Sequence, residues 1–483
     1  MISDTEYEAW LNSDAERVVL VEIDYWDGDS VETLYLSDKG YNTNLSAGVE
    51  HRVYIDAVNK VPSLKQSLDN SRTGFGEIVI ANPNGIRDSW FTDYAFDGRK
   101  VVQKHGSPAW EYADFRQLSV DVIASRSAKN AREIVLKLRS PEAYLEQPIQ
   151  TALMASGPNT GDYKPVAYGE INNATAVLLD AATHKYQISD IEIDSIQAVK
   201  DNYKAVASYT PQLADGTFTL GSAPSGTVTV SFKGADVSAV LLEKAGEIID
   251  HIITTRTSLP AEFYDADAFT DLDSDITWKH NLYITERMTA RQAITKILDS
   301  IGAKLIRNRE GKISVARHPS VAVSAVLELG VDHIQKWSFK PVKVIAPWQQ
   351  ARLGYAKNYT VMESLDTTIS QTDRAAAQRS FDIVSDTNAV LTEHPLAEEP
   401  ELIETTLTDQ ADATARLTEL MTQFGQERFI HELVAYQAIF QVTVGQTIEL
   451  THDRFGFSAG KNAVVWSQDD DPTRGKSRVQ LWH

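Results

Sequence analysis

Cysteine is absent from this chain of 483 residues. Its absence excludes disulfide bridges, thiol catalysis and metal centres with cysteine ligands. It also suits a protein that is assembled in a reducing cytoplasm, where disulfides do not persist.

Long apolar runs are missing as well. The N-terminal stretch MISDTEYEAWLNSDAER has no basic region followed by an apolar core, so no secretory signal is expected. No run approaches the roughly 18 apolar residues that a transmembrane helix needs, so no membrane span is expected.

Basic residues are fewer than acidic ones. There are 46 Lys and Arg against 67 Asp and Glu, which gives a formal net charge of −21. Such a chain does not bind duplex DNA by releasing counterions, because that mode requires a basic surface. Two interpretations stay open: an acidic protein whose charge keeps it in solution, or an acidic conduit along which DNA slides without sticking.

Strand-like patterns dominate the rest. Hydrophobic residues make up 42% of the chain, enough for three or four domains of about 100–200 residues. The patterns predict a multi-domain, mainly β fold with a central α+β module. The expected units are a β-domain at 1–142, a second β-rich module at 143–235, an α+β helix–hairpin module at 236–330, and a last β-domain at 331–483 with a helix at 409–424.

Apolar residues at helical spacing predict where the helices lie. Residues 1–16 predict a short one. Asp236 is expected to cap the first long helix, whose apolar stripe includes Val237, Leu241, Ile248 and Ile252. Thr289–Gln292 is a capping-box sequence, and Gly302 stands where a helix ends. Residues 365–392 are polar and show little pattern.

The stretch Val61–Val102 predicts a strand, a turn, a second strand, a second turn and a return strand. Residues 63–68 alternate in polarity, and Glu77–Ile80 is a β-branched run. Asn82–Gly85 and Asp97-Gly98 are turn signals. We interpret the stretch as a hairpin module that lies against other copies of a sheet.

Motifs that could carry chemistry are incomplete. Gly456–Gly460 spells the G-x-S-x-G nucleophile elbow around Ser458, but a strand is expected after it where the elbow needs a helix. Asp271, Asp273 and Asp275 imitate the start of a calcium loop without its glycine and terminal glutamate. Gly74-Phe75-Gly76 and Gly475-Lys476-Ser477 lack the further glycines of nucleotide-binding loops. We therefore assign no catalytic, cofactor-binding or metal-binding residues and expect no cofactor.

Both ends of the chain carry a family resemblance. The run from Leu68 through Asn82–Gly85 to Arg99 resembles the first domain of tail-tip baseplate hub proteins of long-tailed, siphovirus-type bacteriophages. Residues 445–461 and 479–482 are similar to the last β-domain of the same proteins. The residues that carry the resemblance as a structural motif are Gly76, Asn82, Pro83, Gly85, Trp90, Arg454, Phe455, Gly456 and Trp482.

The resemblance implies a structural, non-enzymatic role. The first and last β-domains would be tube-like, and a homotrimer would present six of them to a six-fold tail tube. The hub would close the tube at the virion tail tip, be assembled in the bacterial host cytoplasm, and let phage DNA pass without specific binding. Implied partners are the distal tail ring protein, the tape-measure protein, and tail fibre or receptor-binding proteins.

An acidic bore is expected from the charge, with Glu22, Asp24 and Glu449 as candidate lumen-facing acids. Alternative functions are a cell-wall-degrading tail enzyme, a distal tail ring protein or a receptor-binding adhesin.

Overall fold

The computed structural model describes residues 2–11, 13, 15–43, 52–62, 64–68, 76–308, 310–318, 323–471 and 474–483. It is mainly β, with several sheets and helices concentrated in the second half of the chain. Among the described residues, no helix is long and apolar enough to cross a membrane.

A large, mostly antiparallel sheet dominates the first part of the chain, with β2 and β4 as a parallel pair. It is preceded by helix α1 (Asp4–Leu11), and its strand order is β3-β4-β2-β1-β8-β9-β10-β7-β5. The strands of this region are β1 (Val18–Trp26), β2 (Val31–Ser37), β3 (Tyr41–Asn42), β4 (Val53–Asp56), β5 (Val58–Lys60), β6 (Leu64–Ser67), β7 (Glu77–Ala81), β8 (Lys100–Gly106), β9 (Arg116–Asn130) and β10 (Glu133–Arg139).

Two small antiparallel sheets share one core in the next part. Their strand orders are β12-β19-β15-β16 and β13-β14-β18-β17. The strands are β11 (Val166–Tyr168), β12 (Glu170–Thr175), β13 (Val177–Asp180), β14 (Lys185–Gln187), β15 (Ile193–Asp201), β16 (Lys204–Ala205), β17 (Tyr209–Gln212), β18 (Thr217–Leu220) and β19 (Val228–Ala235).

Three helices and a hairpin form the α+β part. The Thr289 capping box has both of its hydrogen bonds, and Gly302 adopts the left-handed conformation at the helix end with φ 69°. The elements are α2 (Ala245–Arg256), α3 (Ala266–Asp275), β20 (Leu282–Ile284), α4 (Ala290–Ile301), β21 (Ala303–Arg307) and β22 (Ile313–Arg317).

The last part combines a sheet of order β23-β29-β30-β31-β28-β24 with a smaller one of order β26-β25-β27. Its elements are β23 (Glu328–Leu329), β24 (Lys340–Ile345), β25 (Gln350–Tyr355), α5 (Gln371–Gln378), β26 (Asp382–Thr387), β27 (Ile403–Glu404), α6 (Gln410–Phe424), β28 (Arg428–Tyr436), β29 (Thr447–Leu450), β30 (Lys461–Asp471) and β31 (Lys476–Trp482). The expected helix at 409–424 is α6, with Asp409 at its N-cap position.

The expected hairpin at 61–102 is wrong in its pairing. Strand β6 pairs with β30 near the other end of the chain, in the register Ser67↔Ser467. Strand β7 pairs with β10 and β5, and the return strand β8 pairs with β1 and β9. Residues 69–75, where the first turn was expected, lie outside the described residues.

The predicted start of the first long helix and the interpretation of residues 365–392 are also corrected. The first long helix begins at Ala245, since Ser238 and Ala239 have φ of 56° and 62° and Val237 and Val240 close a tight turn between their backbones. Residues 365–392 contain α5 and β26, so their polar composition reflects exposed elements.

Helix α1 and strand β6 connect the two ends of the chain. Tyr7, Trp10 and Leu11 of α1, together with Leu68 just after β6, belong to a core otherwise made of residues 329–482. The Leu68 amide also donates to the Trp466 carbonyl at 2.9 Å. The first and last sheets are therefore adjacent, and their packing depends on contacts between opposite ends of the sequence.

Candidate assembly surfaces

Strand β24 is an edge strand that exposes two valines together with Lys340 and Lys343. Within the described residues it pairs with β28 and with no other strand. Val342 and Val344 are exposed, the latter by 55%, and the nearby Trp337 side chain is 80% exposed. An unpaired strand edge leaves backbone donors and acceptors available to another chain, so β24 is a candidate assembly surface.

The hairpin of β9 and β10 gives a second exposed surface. Residues 124–132 around its tip are largely exposed, while the first half of β9 is buried. Val53 and Ile55 of β4 are exposed on the same sheet, each by 53%. Single exposed apolar side chains are common on protein surfaces, so Val53 and Ile55 do not by themselves mark an assembly surface.

The N-terminal motif residues form one ordered loop. The Asn82 side chain donates to Asp88 at 2.9 Å and accepts from the Arg87 amide at 2.8 Å. Gly85 has φ 72°, which glycine adopts without strain. Pro83 opens a short 3₁₀ turn, and Trp90 is buried under the loop. At Gly76, a Cβ atom would lie only 2.1 Å from Pro62.

The C-terminal motif residues surround an aromatic cluster. Arg454 stacks on the Phe455 ring at 4.6 Å, and Phe455 and Gly456 both have positive φ, which turns the chain so that Phe457 is buried. Trp482 is fully buried beneath the Arg428 guanidinium at 4.7 Å.

A histidine pair lies in this cluster, and the sequence pattern alone did not indicate it. His431 Nδ1 and His483 Nε2 are 3.0 Å apart, and Phe339 and Phe457 pack on His431. Burial lowers the pKa of His431 to about 4 and that of His483 to about 3, and the charge of Lys461 acts in the same direction. The two rings are thus neutral at pH 7 and share one hydrogen bond.

Glu22, a candidate lumen-facing acid, forms hydrogen bonds and an ion pair with other residues of the chain. Its carboxylate accepts hydrogen bonds from Tyr54 at 2.7 Å and Tyr112 at 2.6 Å, and Lys104 lies 3.1 Å away. Burial acts to raise its pKa, but Lys104 and the two hydroxyl groups outweigh burial and hold the pKa of Glu22 below its usual value.

The other two acids differ in their surroundings. Asp24 accepts from Thr33 at 2.8 Å and lies 4.0 Å from Lys100. Glu449 lies on β29 opposite Asn462, at the far end of the chain. The three acids therefore do not form one cluster of paired contacts, and their orientation toward a bore stays a prediction.

The chemistry-like motifs take structural positions. Ser458 is exposed in a loop between Gly456 and Gly460, and strand β30 follows it directly. Asp271, Asp273 and Asp275 lie in α3, where Asp273 accepts from the amides of Gly246 and Glu247 at the start of α2. Gly475 precedes β31, and Gly74 and Phe75 lie outside the described residues.

No protein-family model matches the chain, and no curated protein matches it. Solved structures do match over nearly its whole length. The tail protein from Neisseria meningitidis MC58 has 10% sequence identity and a TM-score of 0.38, with 97% of this chain and 96% of that chain covered.

Two prophage proteins match similarly. The 43 kDa tail protein of prophage MuSo2 from Shewanella oneidensis has 9% identity and a TM-score of 0.39, covering 96% of this chain and 98% of its own. Prophage tail protein gp18 from Listeria monocytogenes EGD-e has 6% identity and a TM-score of 0.44, covering 97% and 94%. These three solved structures are tail proteins, and each matches the chain at a TM-score below 0.5.

Proposed function

We propose that the chain is a structural protein of a phage tail, a baseplate hub that continues and closes the tail tube and lets DNA pass on infection. It would act at the virion tail tip as a homotrimer, contacting the distal tail ring protein, the tape-measure protein and receptor-binding proteins. The proposal rests on the sequence resemblance at both ends of the chain, and it assigns no catalytic role.

The observation that carries the proposal is the pairing of β6 with β30. It brings a strand that ends beside Leu68, where the N-terminal resemblance begins, into the last sheet, and Leu68 joins the core of that sheet. A protomer with two neighbouring sheets can contribute two adjacent segments to a ring, and three protomers then supply six. The edge strand β24 gives such a ring a place to close.

Charge bears on the DNA-passage part of the proposal. An acidic bore would keep phosphates hydrated, whereas a basic one would retain them at low salt. Glu22 and Asp24 have cationic neighbours, so much of their charge is compensated within the chain. An acidic lining would therefore have to be formed by other residues among the 67 acidic ones. Part of this surplus could instead serve solubility.

The direct test is the copy number and symmetry of the chain in a particle reconstruction. Three copies at the tail tip are expected, with acidic groups in excess on the bore. Six copies would favour a ring protein, and a peripheral position would favour an adhesin. One copy would contradict the trimer, and a neutral or basic bore would contradict the conduit.

A substitution at the edge strand tests how the ring closes. Val344→Asp places a charge on the exposed side of β24 and should leave the isolated chain folded while it blocks incorporation into particles. Val331→Asp is the matched control, because Val331 is 54% exposed in a 3₁₀ turn outside the edge strand. Particles that incorporate the Val344→Asp chain normally would exclude β24 from the assembly surface.

A further inference from the structure

A half-open cavity with one apolar wall lies where four distant parts of the chain meet. Its volume is about 210 Å³, and its apolar wall is formed by Leu68, Phe424 and Trp466. These residues come from the segment after β6, the end of α6 and strand β30. An apolar cavity of roughly 150 Å³ already admits benzene, so a body the size of one aromatic ring fits here.

One wall of the cavity is cationic. Arg416 of α6 lines it, and its side chain is only 6% exposed. Gly302, in its left-handed conformation, allows this approach, because a Cβ atom at position 302 would collide with the guanidinium. The carbonyl end of helix α4 therefore compensates part of the Arg416 charge.

The carboxylate that compensates the rest of the Arg416 charge is shared with a second guanidinium. Arg416 donates to Glu419 at 3.2 Å, but the same carboxylate is bound by the Arg317 guanidinium. Lys304 and Asp299 both line the cavity and form an ion pair with each other. The group thus holds three cations and two carboxylates in a chain that is acidic overall. Burial lowers the pKa of Arg416, and the charge of Glu419 opposes that effect, as expected for a guanidinium with few compensating contacts.

We propose that this cavity binds a small carboxylate with an aromatic body, the carboxylate pairing with Arg416 and the ring lying against Leu68, Phe424 and Trp466. A guanidinium offers five N–H donors, and those of Arg416 make one side-chain hydrogen bond within the described part of the chain. A bound carboxylate would use the remaining donors and supply the missing charge. The chemistry is shared by free aromatic acids and by a polypeptide that ends in phenylalanine.

Binding at this site would also stabilise the arrangement of the distant parts of the chain that form it. Because its walls come from elements separated by up to about four hundred residues, the ligand would stabilise the junction that β6 forms with β30. This inference goes beyond the proposed tail role and does not depend on it, since the cavity and its charges belong to a single chain.

Calorimetric titration of the purified full chain tests the proposal. Phenylacetate should bind at one site, and the neutral phenylacetamide should bind about ten-fold more weakly or not at all, because it cannot form the charge-assisted pair. The tripeptide Gly-Gly-Phe with a free carboxylate, set against its C-terminal amide, identifies whether a chain end also enters. Carboxylate preference in either pair supports the site.

Substitutions locate the site. Arg416→Gln should remove the preference for the acid. Lys304→Gln, a milder change outside the hydrophobic core, should lower the affinity for phenylacetate several-fold. Arg454→Gln, at an exposed arginine on Phe455, should change nothing. Equal affinity for acid and amide, absence of binding by all four compounds, or unchanged binding in the folded Lys304→Gln and Arg416→Gln chains would overturn the proposal.

Discussion

The first and last sheets reach stability in different ways. The largest core of the first sheet is drawn from residues 19–138, and only a small cluster on β8 and β9 also includes a later residue, Phe263. The core of the last sheet also needs Tyr7, Trp10, Leu11 and Leu68, which lie more than 250 residues before the rest of it. The first can form from local contacts, whereas the last requires the two ends of the chain to meet.

This difference predicts that a substitution in the N-terminal helix lowers the stability of the last sheet. Trp10 packs on Trp110 at 4.4 Å and on His105 at 5.0 Å while belonging to the last core. Trp10→Ala should lower the opening free energy of β28–β31 by about 3–5 kcal/mol, the usual cost of truncating a buried tryptophan. Hydrogen exchange resolved by segment measures this.

An exposed tryptophan is the matched control for that change. Trp337→Ala should alter exchange by less than about 0.5 kcal/mol, since Trp337 is 80% exposed. If Trp10→Ala loosens residues 2–11 and leaves β28–β31 protected, then the last sheet does not depend on the N-terminus.

An engineered disulfide can link β6 covalently to β30 and so fix the contact on which the last sheet depends. Ser67 and Ser467 are opposed in the antiparallel pairing of β6 with β30, and opposed Cα atoms lie about 4.5–5.5 Å apart, within reach of a disulfide. In this cysteine-free chain, Ser67→Cys with Ser467→Cys should close within one chain on oxidation and stabilise the last sheet by about 2–4 kcal/mol.

Peptide mapping and thermal unfolding under oxidising and reducing conditions measure both effects. Ser67→Cys combined with Ser458→Cys, which is in an exposed loop, should give no intrachain link. Cross-links formed only between chains would show that β6 is exchanged between copies.

Acid should weaken the last sheet through its pair of buried histidines. The pKa of His431 is lowered to about 4 and that of His483 to about 3, so both stay neutral in the folded chain while unfolded histidine protonates near about 6.5. Their contribution is fully present above about pH 6.5 and is lost as pH falls toward 4. The last sheet should lose on the order of 1–2 kcal/mol by about pH 5.

Segment-resolved exchange between pH 7 and pH 5 checks the acid effect. His431→Gln should flatten the pH dependence of the last sheet, whereas His394→Gln, in a loop outside the cluster, should not. Equal acid sensitivity in wild type and His431→Gln would assign the effect to other groups, among them the buried His105, whose pKa is lowered to about 3 by burial.

The smallest effect is expected at Ser458. Ser458→Ala changes an exposed loop side chain and should alter stability by less than about 0.5 kcal/mol. Particle infectivity should be unchanged. Hydrolysis of an ester substrate that depends on Ser458 would contradict the proposed structural role.

Local features were predictable from the sequence because they depend on residues a few positions apart. The Thr289 capping box, the left-handed Gly302, the turn at Asn82–Gly85 and helix α6 follow from neighbouring side chains and backbone preferences. The predominance of strands followed in the same way from alternating polarity. The motif loops were recognisable, although the contacts that order them, such as Asn82 with Asp88, were not.

The tertiary structure decided which strands pair and what each polar group contacts. Alternation predicted β6 as a strand but not its partner, because period two specifies the faces of a strand and not its neighbour. Asp236 resembled a helix cap, yet it forms a β-bridge with Leu241 and its amide donates to the Glu192 carbonyl at 3.1 Å. Glu22, the His431–His483 pair and the Arg416 cavity each depend on groups brought together from distant positions, and sequence spacing carries no information about that approach.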